Sequence, residues 1–551
     1  AFVAIPLLLQ AIFFYVPMFQ GAFYSFTNWT GLTYNYKFVG VNNFKLLFMD
    51  PKFMNAIGFT VIITIAMVVG EIALGIFIAR VLNSKIKGQT FFRAWFFFPA
   101  VLSGLTVALI FKQVFNYGLP AIGNALHIEF LQTSLLGTKW GAIFAAVFVL
   151  LWQGVAMPII IFLAGLQSIP TEITEAARID GATSKQVFWN IELPYLLPSV
   201  SMVFILALKG GLTAFDQVFA MTGGGPNNAT TSLGLLVYNY AFKNNQFGYA
   251  NAIAVILFFL IVVISIIQFK RRSTMKQDER KALIGKYILL ILGSVLILVP
   301  LLATLFSSFK PTKDIVDNFF GFPTNFTWDN FSRLLADGIG GYYWNSVVIT
   351  VLSLLAVMIC IPMAAYSIAR NMSKRKAFTI MYTLLILGIF VPFQVIMIPI
   401  TVMMSKLGLA NTFGLILLYL TYAIPQTLFL YVGYIKISIP ESLDEAAEID
   451  GANKFTTYFR IIFPMMKPMH ATTMIINALW FWNDFMLPLL VLNRDSKMWT
   501  LPLFQYNYAG QYFNDYGPSF ASYVVGIISI TIVYLFFQRH IIAGMSNGAV
   551  K

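Results

Sequence analysis

Long apolar stretches, separated by shorter polar segments, recur along the whole chain. An α-helix needs ~20 mostly apolar residues to cross a bilayer, and the bilayer core leaves helices as the natural spanning element because no water is there to satisfy the backbone. The pattern therefore predicts an all-α, polytopic membrane protein, with the first stretch a spanning helix and not a signal peptide. Twelve spans are predicted, near residues 1–25, 59–79, 94–111, 140–166, 196–221, 249–269, 287–308, 345–369, 377–404, 413–435, 469–490 and 520–537.

Charged residues are scarce and unevenly placed. They make up 11% of the chain, whereas soluble domains carry about 25%. The net charge of +14 comes from lysines and arginines that cluster in alternate loops, and such clusters mark the cytoplasmic side. The charge thus indicates membrane orientation, with membrane lipid as the surroundings, and no nucleic-acid partner is expected. The densest clusters are Arg80, Lys85, Lys87 and Arg93; Lys270, Arg271 and Arg272; and Arg370, Lys374, Arg375 and Lys376.

An internal repeat divides the twelve spans into six and six. The segment 169–194 reads IPTEITEAARIDGATSKQVFWNIELP, and the segment 439–464 reads IPESLDEAAEIDGANKFTTYFRIIFP, with matching residues 270 positions apart. Each copy lies between the fourth and fifth span of its half, so both halves have one orientation and form a parallel repeat about an axis along the membrane normal. We expect halves at 1–274 and 275–551, either naturally fused or two polypeptides numbered in sequence.

Each repeated loop has the features of two short helices joined by a glycine turn. Gly181 is placed to end the first helix in a left-handed conformation. Thr183 and Gln186 can form a capping box on the next helix, where Asn453 is the cap in the second copy. Ala176 and Ala177 leave one face of the first helix flat, which allows another protein surface to approach closely.

These loops resemble the EAA loop of ABC importer permeases, whose pattern is EAA, then Gly, then I-x-L-P. The first copy matches throughout, and the second has Phe463 in place of the leucine. The resemblance implies the transmembrane domains of a type I ABC importer in a bacterial cytoplasmic membrane, with loops that dock on a cytoplasmic ATPase dimer. By resemblance, the ATPase-coupling residues are Glu175, Ala176, Ala177, Asp180, Gly181, Glu445, Ala446, Ala447, Asp450 and Gly451.

The chain lacks the sequence features of an ATPase, an enzyme or a metal site. The glycine-rich segment 223–226 has no following Lys-Ser, so there is no phosphate-binding loop. We expect ATP and magnesium on separate ATPase subunits, and a separate extracytoplasmic binding protein. No catalytic set is recognised, and the three histidines and the single Cys360 show no metal-ligand spacing.

Further segments resemble the carbohydrate branch of these importers, the maltose- and multiple-sugar-type permeases. They are 27–31, 221–226 and 481–485, with the Ile-Asp-Gly-Ala continuation of both EAA loops. The resemblance implies a sugar substrate, in particular an oligosaccharide, and a Trp face suits a sugar ring. Ordinary span packing for Trp152 and a helix kink at 210–211 are the alternatives. The predicted substrate-pathway residues are Trp152, Gln153, Gly154, Met157, Ala207, Gly210, Gly211, Ala214, Asp216, Trp482, Asn483 and Asp484.

Four ionisable residues fall within predicted spans: Glu71, Lys209, Asp216 and Asp484. Charges are costly in a bilayer, so these side chains should face a cavity or a partner. Lys209 and Asp216 are seven residues apart and would share a helix face, where they either pair or line the pathway. Asp484 lines the pathway or caps a broken helix. The alternative functions are a polyol or phosphorylated-polyol ABC importer and an ion-coupled secondary transporter.

Overall fold

The computed structural model describes residues 2–31, 36–84, 88–269, 283–511 and 516–549. In these ranges the regular structure is helical, apart from an isolated antiparallel bridge between Thr27 and Phe38. The first half has its longer helices at Ala4–Gln10 continued by Val16–Tyr24, Pro51–Asn83, Gln89–Val101, Gly104–Gln113, Lys139–Gly154, Ala156–Gln167, Leu193–Leu212 and Phe247–Phe269. The second half has them at Leu283–Ser307, Ile339–Asn371, Lys376–Leu387, Phe393–Lys406, Thr412–Ser438, Lys467–Asn483, Leu501–Gln511 and Tyr516–Ala549.

Shorter helices connect these elements. The α-helical ones are Asn42–Met49, Leu119–Leu126, Thr171–Ile179, Ser184–Val187, Asp216–Met221, Leu233–Tyr238, Thr312–Asp317, Asp329–Ala336, Ser442–Ile449, Lys454–Thr457, Phe463–Met465 and Met486–Val491. Turns of π-helix lie at Ala11–Tyr15, Val114–Gly118, Phe188–Glu192, Asn239–Lys243 and Tyr458–Ile462, and 3₁₀ turns at Glu129–Leu131, Leu135–Gly137 and Ser496–Met498.

The predicted spans all fall on helical structure. By length and apolar composition, six described helices could cross a membrane, and eight if each of two bent helix pairs counts as one span. Four shorter apolar helices, at 91–101, 247–263, 291–307 and 516–532, lie in further predicted spans. The all-α, polytopic class is therefore confirmed. The predicted boundary between the halves, at residues 274 and 275, lies outside the described residues.

Five predicted spans are interrupted and are not the continuous helices that the sequence suggested. The span at 94–111 divides at residues 102–103, and 377–404 divides into helices bent by 101°. The span at 140–166 bends by 41°, and the spans at 196–221 and 469–490 break at 213–215 and 484–485. Apolar content alone does not reveal such breaks, because irregular backbone is tolerated at membrane depth wherever protein or a cavity satisfies it.

The two halves repeat one packing arrangement. In the first half, Pro51–Asn83 packs against Leu193–Leu212 and Ala156–Gln167. In the second half, Ile339–Asn371 packs in the same way against Lys467–Asn483 and Thr412–Ser438. The central position of this helix in each half places its predicted cytoplasmic end beside the EAA loop of the same half.

The first helix of each half packs on the other half. Val16–Tyr24 lies against Phe393–Lys406, and Leu283–Ser307 lies against Gln89–Val101. Glycines allow the close approach: a Cβ on Gly21 would lie 2.8 Å from Val395 O, and one on Gly293 would lie 2.6 Å from the Phe96 ring. Each half therefore completes its packing with a helix from its counterpart.

A second repeat, which the sequence analysis did not identify, lies on the predicted outer side. Asn43 and Asn330 lie 287 positions apart. Each donates from Nδ2 to two backbone carbonyls just after the first span of its half, at 2.8–2.9 Å: Ser25 and Thr27 for Asn43, and Ser308 and Lys310 for Asn330. Asp50 and Asp337 follow at the same spacing, and each accepts a hydrogen bond from a tyrosine of the segment Tyr-Asn-Tyr-Ala that follows the fifth span. The matching segments are NNFKLLFMD at 42–50 and DNFSRLLAD at 329–337.

Candidate functional site

The glycine turns of both EAA loops have the predicted left-handed backbone. Gly181 has φ = 82° and Gly451 has φ = 77°. The following N–H in each loop donates to the carbonyl of the second alanine, Ala177 or Ala447, at 2.8 Å, which is the bond that closes a Schellman-type helix end. The first helix of each loop therefore ends where the sequence predicts.

The second helix of each loop is also capped as predicted. Thr183 donates its N–H to Gln186 Oε1 at 2.7 Å, and Gln186 N–H donates to Thr183 Oγ1 at 3.3 Å. Asn453 Oδ1 accepts from Thr456 N–H at 2.9 Å. The second helix of the first loop continues through a π-helical turn directly into the fifth span. In the second loop the π-helical turn is followed by the short helix Phe463–Met465 and a turn before the fifth span begins at Lys467.

The coupling residues predicted from the resemblance lie on the surface of these loops. Glu175, Ala176, Asp180 and Gly181 are exposed, as are Glu445, Ala446, Asp450 and Gly451, whereas Ala177 is half-buried and Ala447 is buried. The sequence analysis missed the two isoleucines that precede the aspartates. Ile179 is 85% exposed and Ile449 is 86% exposed, and paired apolar side chains presented in this way are a feature of interaction surfaces.

An arginine at the end of the second long helix of each half binds the EAA loop. Arg80 pairs with Glu192 at 2.6 Å and stacks over the Phe188 ring. Arg370 pairs with Asp444 at 2.9 Å and donates to two carbonyls at the start of the loop. The two arginines occupy equivalent Ile-Ala-Arg sequences, yet they bind opposite ends of their loops.

The difference arises because the two loops carry their acidic residue at different positions. The position of Asp444 is taken by Thr174 in the first half, and the position of Glu192 is taken by Ile462 in the second. Each arginine thus reaches the acid that its own loop provides. A further surface pair, Lys374 with Glu441 at 2.9 Å, adds to the second loop.

A cavity of about 590 Å³ lies between the two halves. Six of the twelve predicted pathway residues line it: Gln153, Gly154, Gly210, Ala214, Asp216 and Asp484. Its walls come from both halves and combine aromatic rings with side-chain amides. A closed apolar core would lack these amides, so the cavity is suited to a polar ligand that also has apolar faces.

Four helix breaks meet around this cavity, and side chains from the opposite half satisfy their free carbonyls. Asn483 donates to Val101 O at 2.7 Å, and Ser103 donates back to Asn483 O at 3.0 Å. On the other side Gln394 donates to Thr213 O at 3.0 Å. In each case the broken third span of one half bonds to the broken fifth span of the other, which ties the two halves together at the cavity.

The buried charges are placed around the same breaks. Lys209 Nζ donates to Ile389 O at 3.0 Å, at the bend in the third span of the second half. Among the described residues no ion pair joins Lys209 to Asp216, because the helix ends between them and the shared face is lost. Asp484 lines the cavity at the break before Met486–Val491, and its carboxylate accepts a hydrogen bond from the Tyr419 hydroxyl at 3.0 Å. Glu71 is buried and lies against Gly154.

The other six predicted pathway residues lie outside the cavity lining. Trp152 is buried, donates from Nε1 to Leu296 O at 3.3 Å and packs edge-on against Phe111. Trp482 packs against Tyr343, and Asn483 holds a helix break. The remaining three are the buried Ala207, Gly211 against Thr64, and the partly exposed Met157.

Apart from Asp484, the sequence analysis missed the cavity residues of the second half, although the repeat could have identified several of them. The 270-residue offset carries Ala207 to Asn477, Gly210 to Trp480 and Trp152 to Tyr422. Asn477, Trp480 and Tyr422 all line the cavity. A large aromatic ring in the second half therefore lies at the position where the first half has a glycine.

A family model for the "binding-protein-dependent transport system inner membrane component" matches residues 71–272 and again residues 359–547, together more than half of the chain. The chain belongs to this family. It is a multi-pass inner membrane permease that carries two permease halves, and its relatives are transport components, not enzymes.

Two similar permeases each match half of this chain. The multiple sugar-binding transport system permease protein MsmG of Streptococcus mutans is 79% identical over 277 residues, which is 50% of this chain and 100% of that protein. MsmF of the same organism is 76% identical over 269 residues, 49% of this chain and 93% of that protein. A solved bacterial ABC transporter for alginate import is similar at 20% identity and a TM-score of 0.42, over 47% of this chain and 89% of that chain.

Proposed function

We propose that this permease forms the membrane path of an ATP-driven, binding-protein-dependent importer for sugars, and for oligosaccharides in particular. The observation that carries the proposal is the cavity between the halves, whose lining contains both aromatic rings and side-chain amides. The relatives MsmG and MsmF are named multiple sugar-binding permeases, which supports the same substrate class.

Trp480 is the residue best suited to a sugar ring in this cavity. Its ring lines the same cavity as Gly210, Gln426 and Asn477. An aromatic face packs on the C–H face of a sugar, while amides both donate to and accept from hydroxyls. In this arrangement the second half provides the aromatic surface that the sequence analysis had placed at Trp152.

The charge of the cavity argues against a phosphorylated polyol. The lining contains Asp216 and Asp484 but no arginine, and the ammonium of Lys209 is engaged with a backbone carbonyl. A phosphate would need a cluster of donors and positive charge, typically from arginine. A neutral ligand rich in hydroxyls suits this lining better.

The EAA loops are proposed to dock on a cytoplasmic ATPase dimer, on which ATP and magnesium are bound and hydrolysed. The exposed Ile179 and Ile449, beside the flat alanine face, give each loop an apolar contact, and the π-helical turns connect the loops to the fifth spans. ATPase closure would then move the helix breaks at the cavity. An extracytoplasmic binding protein delivers the sugar on the opposite side.

Sugar uptake by proteoliposomes that contain the permease, its ATPase and its binding protein tests the substrate assignment. Trp480→Ala should lower the uptake rate at least about tenfold, which corresponds to the loss of roughly 1.4 kcal/mol of stacking energy. Trp140→Ala, at a 70% exposed tryptophan outside the cavity lining, is the matched control. Equal rates for the two variants would contradict the assignment.

Substitution of the loop isoleucines tests docking. Ile179→Asp combined with Ile449→Asp should abolish ATPase co-purification and uptake while the permease still inserts in the membrane, as should Glu175→Lys or Gly181→Asp. Leu407→Asp, at an exposed leucine on the opposite side, is the control. Uptake that persists without an ATPase and follows an ion gradient would support the secondary-transporter alternative instead.

A further inference from the structure

A second cavity, of about 510 Å³, lies on the predicted outer side of the permease, and we call it the outer vestibule. The first half contributes the aromatic side chains Tyr238, Phe242 and Phe247, and the second half contributes the polar side chains Asn493 and Arg494. These residues follow the fifth span of their half, and most of the rest of the lining comes from the outer ends of the first and third spans. The vestibule thus combines aromatic rings and hydrogen-bonding groups, one set from each half.

A single layer of aromatic rings separates the vestibule from the central cavity. Tyr238 lines the vestibule, and its ring centroid lies 5.5 Å from that of Phe215, which lines the central cavity. Phe219 packs on both rings, at 5.1 Å and 5.2 Å. A helix of the second half also passes from one space to the other, with Leu487 in the cavity and Leu489 in the vestibule.

Polar groups of the vestibule remain able to bind hydroxyls. Arg494 uses Nη1 to donate to Ser405 Oγ at 3.1 Å, and a guanidinium has five N–H donors in all. Asn493 is exposed and Phe242 is half-buried, and both line the same vestibule. A sugar in this space would find aromatic rings and hydrogen-bond donors in one lining, which is the combination that suits saccharides.

We propose that the outer vestibule is a second sugar-binding subsite, which receives a neutral oligosaccharide before the layer of Tyr238, Phe215 and Phe219 opens to the central cavity. The proposal rests on the proposed sugar-import function. It adds a binding step in the permease itself, between release from the binding protein and entry into the central cavity.

Protection of an introduced cysteine tests the subsite. In the Cys360→Ala background, which removes the single native cysteine, Ala410→Cys places a thiol in the vestibule lining, and Ala125→Cys places one on an exposed helix outside it. Proteoliposomes of the full chain with its ATPase are labelled by a membrane-impermeant maleimide, with and without sugar. The sugar is whichever of raffinose, melibiose and maltotriose the same vesicles take up when binding protein and ATP are added.

Without binding protein or ATP, the transported sugar should slow labelling of Ala410→Cys at least about threefold at a concentration well above the dissociation constant, and should leave Ala125→Cys unchanged. Phe242→Ala should remove the protection and raise the KM of uptake with little change in maximal rate, and Phe242→Tyr, which keeps the ring, should retain both. A sugar that is taken up but gives no protection would overturn the subsite and leave the import function standing. Uptake of none of the three sugars would overturn both.

Discussion

At the scale of single residues, Arg80 and Arg370 show how the two halves have diverged around a shared position. The Arg370–Asp444 pair is mostly buried, with side chains 10% and 15% exposed, whereas the Arg80 side chain is 36% exposed. Arg370 also satisfies carbonyls at the start of its loop. The second loop is therefore held more firmly at its entry, and the first loop more loosely at its exit.

Removal of Arg370 should cost more than removal of Arg80. Arg370→Gln leaves Asp444 without its ion pair in a largely buried site, which should lower the free energy of unfolding by about 2 kcal/mol. Arg80→Gln should have a smaller effect because its pair is partly solvated. The melting temperatures of the two purified variants compare the pairs directly, and Arg370→Asp with Asp444→Arg should recover part of the loss. Equal losses would show that burial does not distinguish the two pairs.

The exposed Lys374–Glu441 pair should contribute little and should not respond to pH near neutrality. Hydrogen bonding to Glu441 raises the pKa of Lys374 above 10.5, and hydrogen bonding to Lys374 lowers the pKa of Glu441 below 4.5. Any contribution of Lys374 is present below its ordinary pKa and lost as the pH rises, and that of Glu441 is present above its ordinary pKa and lost as the pH falls. Melting temperatures of Lys374→Gln and the parent chain should thus run parallel between about pH 6 and 9. A difference that changes within this range would point to another titrating group.

Two glycines of the central cavity should respond differently to alanine. A Cβ on Gly154 would lie 2.4 Å from Glu71 Oε1, whereas one on Gly210 would lie 3.2 Å from the flexible end of Met67. Gly154→Ala must therefore displace a buried carboxylate and should lower stability by roughly 1–3 kcal/mol, while Gly210→Ala should stay folded and mainly reduce the cavity. Thermal unfolding and sugar uptake separate the two effects. Similar melting temperatures for both variants would contradict the close contact at Gly154.

At the scale of helices, most of the elements could be predicted from the sequence, but most of their breaks could not; a break at Asp484 was one of the alternatives. Apolar runs predict where helices cross the membrane, and the glycine and capping residues of the EAA loops predict their ends, because these signals are local. The break at 102–103 depends on Asn483 and Ser103 meeting across the two halves, which no local signal contains. Trp480, by contrast, could have been found from the 270-residue repeat, which matches it to Gly210.

At the glycine turns of the EAA loops, the left-handed backbone and not the available space should limit which side chains are tolerated. A Cβ on Gly451 would meet no atom within 4 Å, so any cost comes from its φ of 77° and not from crowding. Gly451→Val should lower stability by about 1–2 kcal/mol, and Gly451→Asn should cost less because asparagine accepts left-handed backbone. Thermal unfolding of the two variants provides the comparison, and uptake should follow the same order. An equal effect of both would indicate that the side chain itself disturbs a partner surface.

At the scale of the whole molecule, the repeat sets the architecture and small departures from it set the function. The halves share their packing, their outer Asn-Asp-Tyr contacts and their loop turns, but Gly210 is matched by Trp480. The cavity lining is consequently asymmetric, because a glycine of the first half is matched by a tryptophan of the second. Two identical halves would place either two glycines or two tryptophans at these positions, and not one of each.

The contact between the first helix of one half and the third span of the other should be sensitive to added volume. Gly293→Leu would place its side chain into the Phe96 ring and should lower stability by about 1–3 kcal/mol. Phe96→Ala in the same chain should restore part of that loss, whereas Phe96→Ala alone should be destabilising. A double-mutant cycle on melting temperature measures this coupling. Simple additivity would mean that the two residues are not in contact.

The exchange of first helices has a consequence for how such transporters are produced in cells. Val16–Tyr24 and Leu283–Ser307 each pack on the opposite half as well as on their own. A surplus of one half would therefore leave apolar helix faces without a partner and make the orphan a target for membrane proteases. A single polypeptide that carries both halves would be synthesised in strict one-to-one stoichiometry, which would remove the need to balance two gene products.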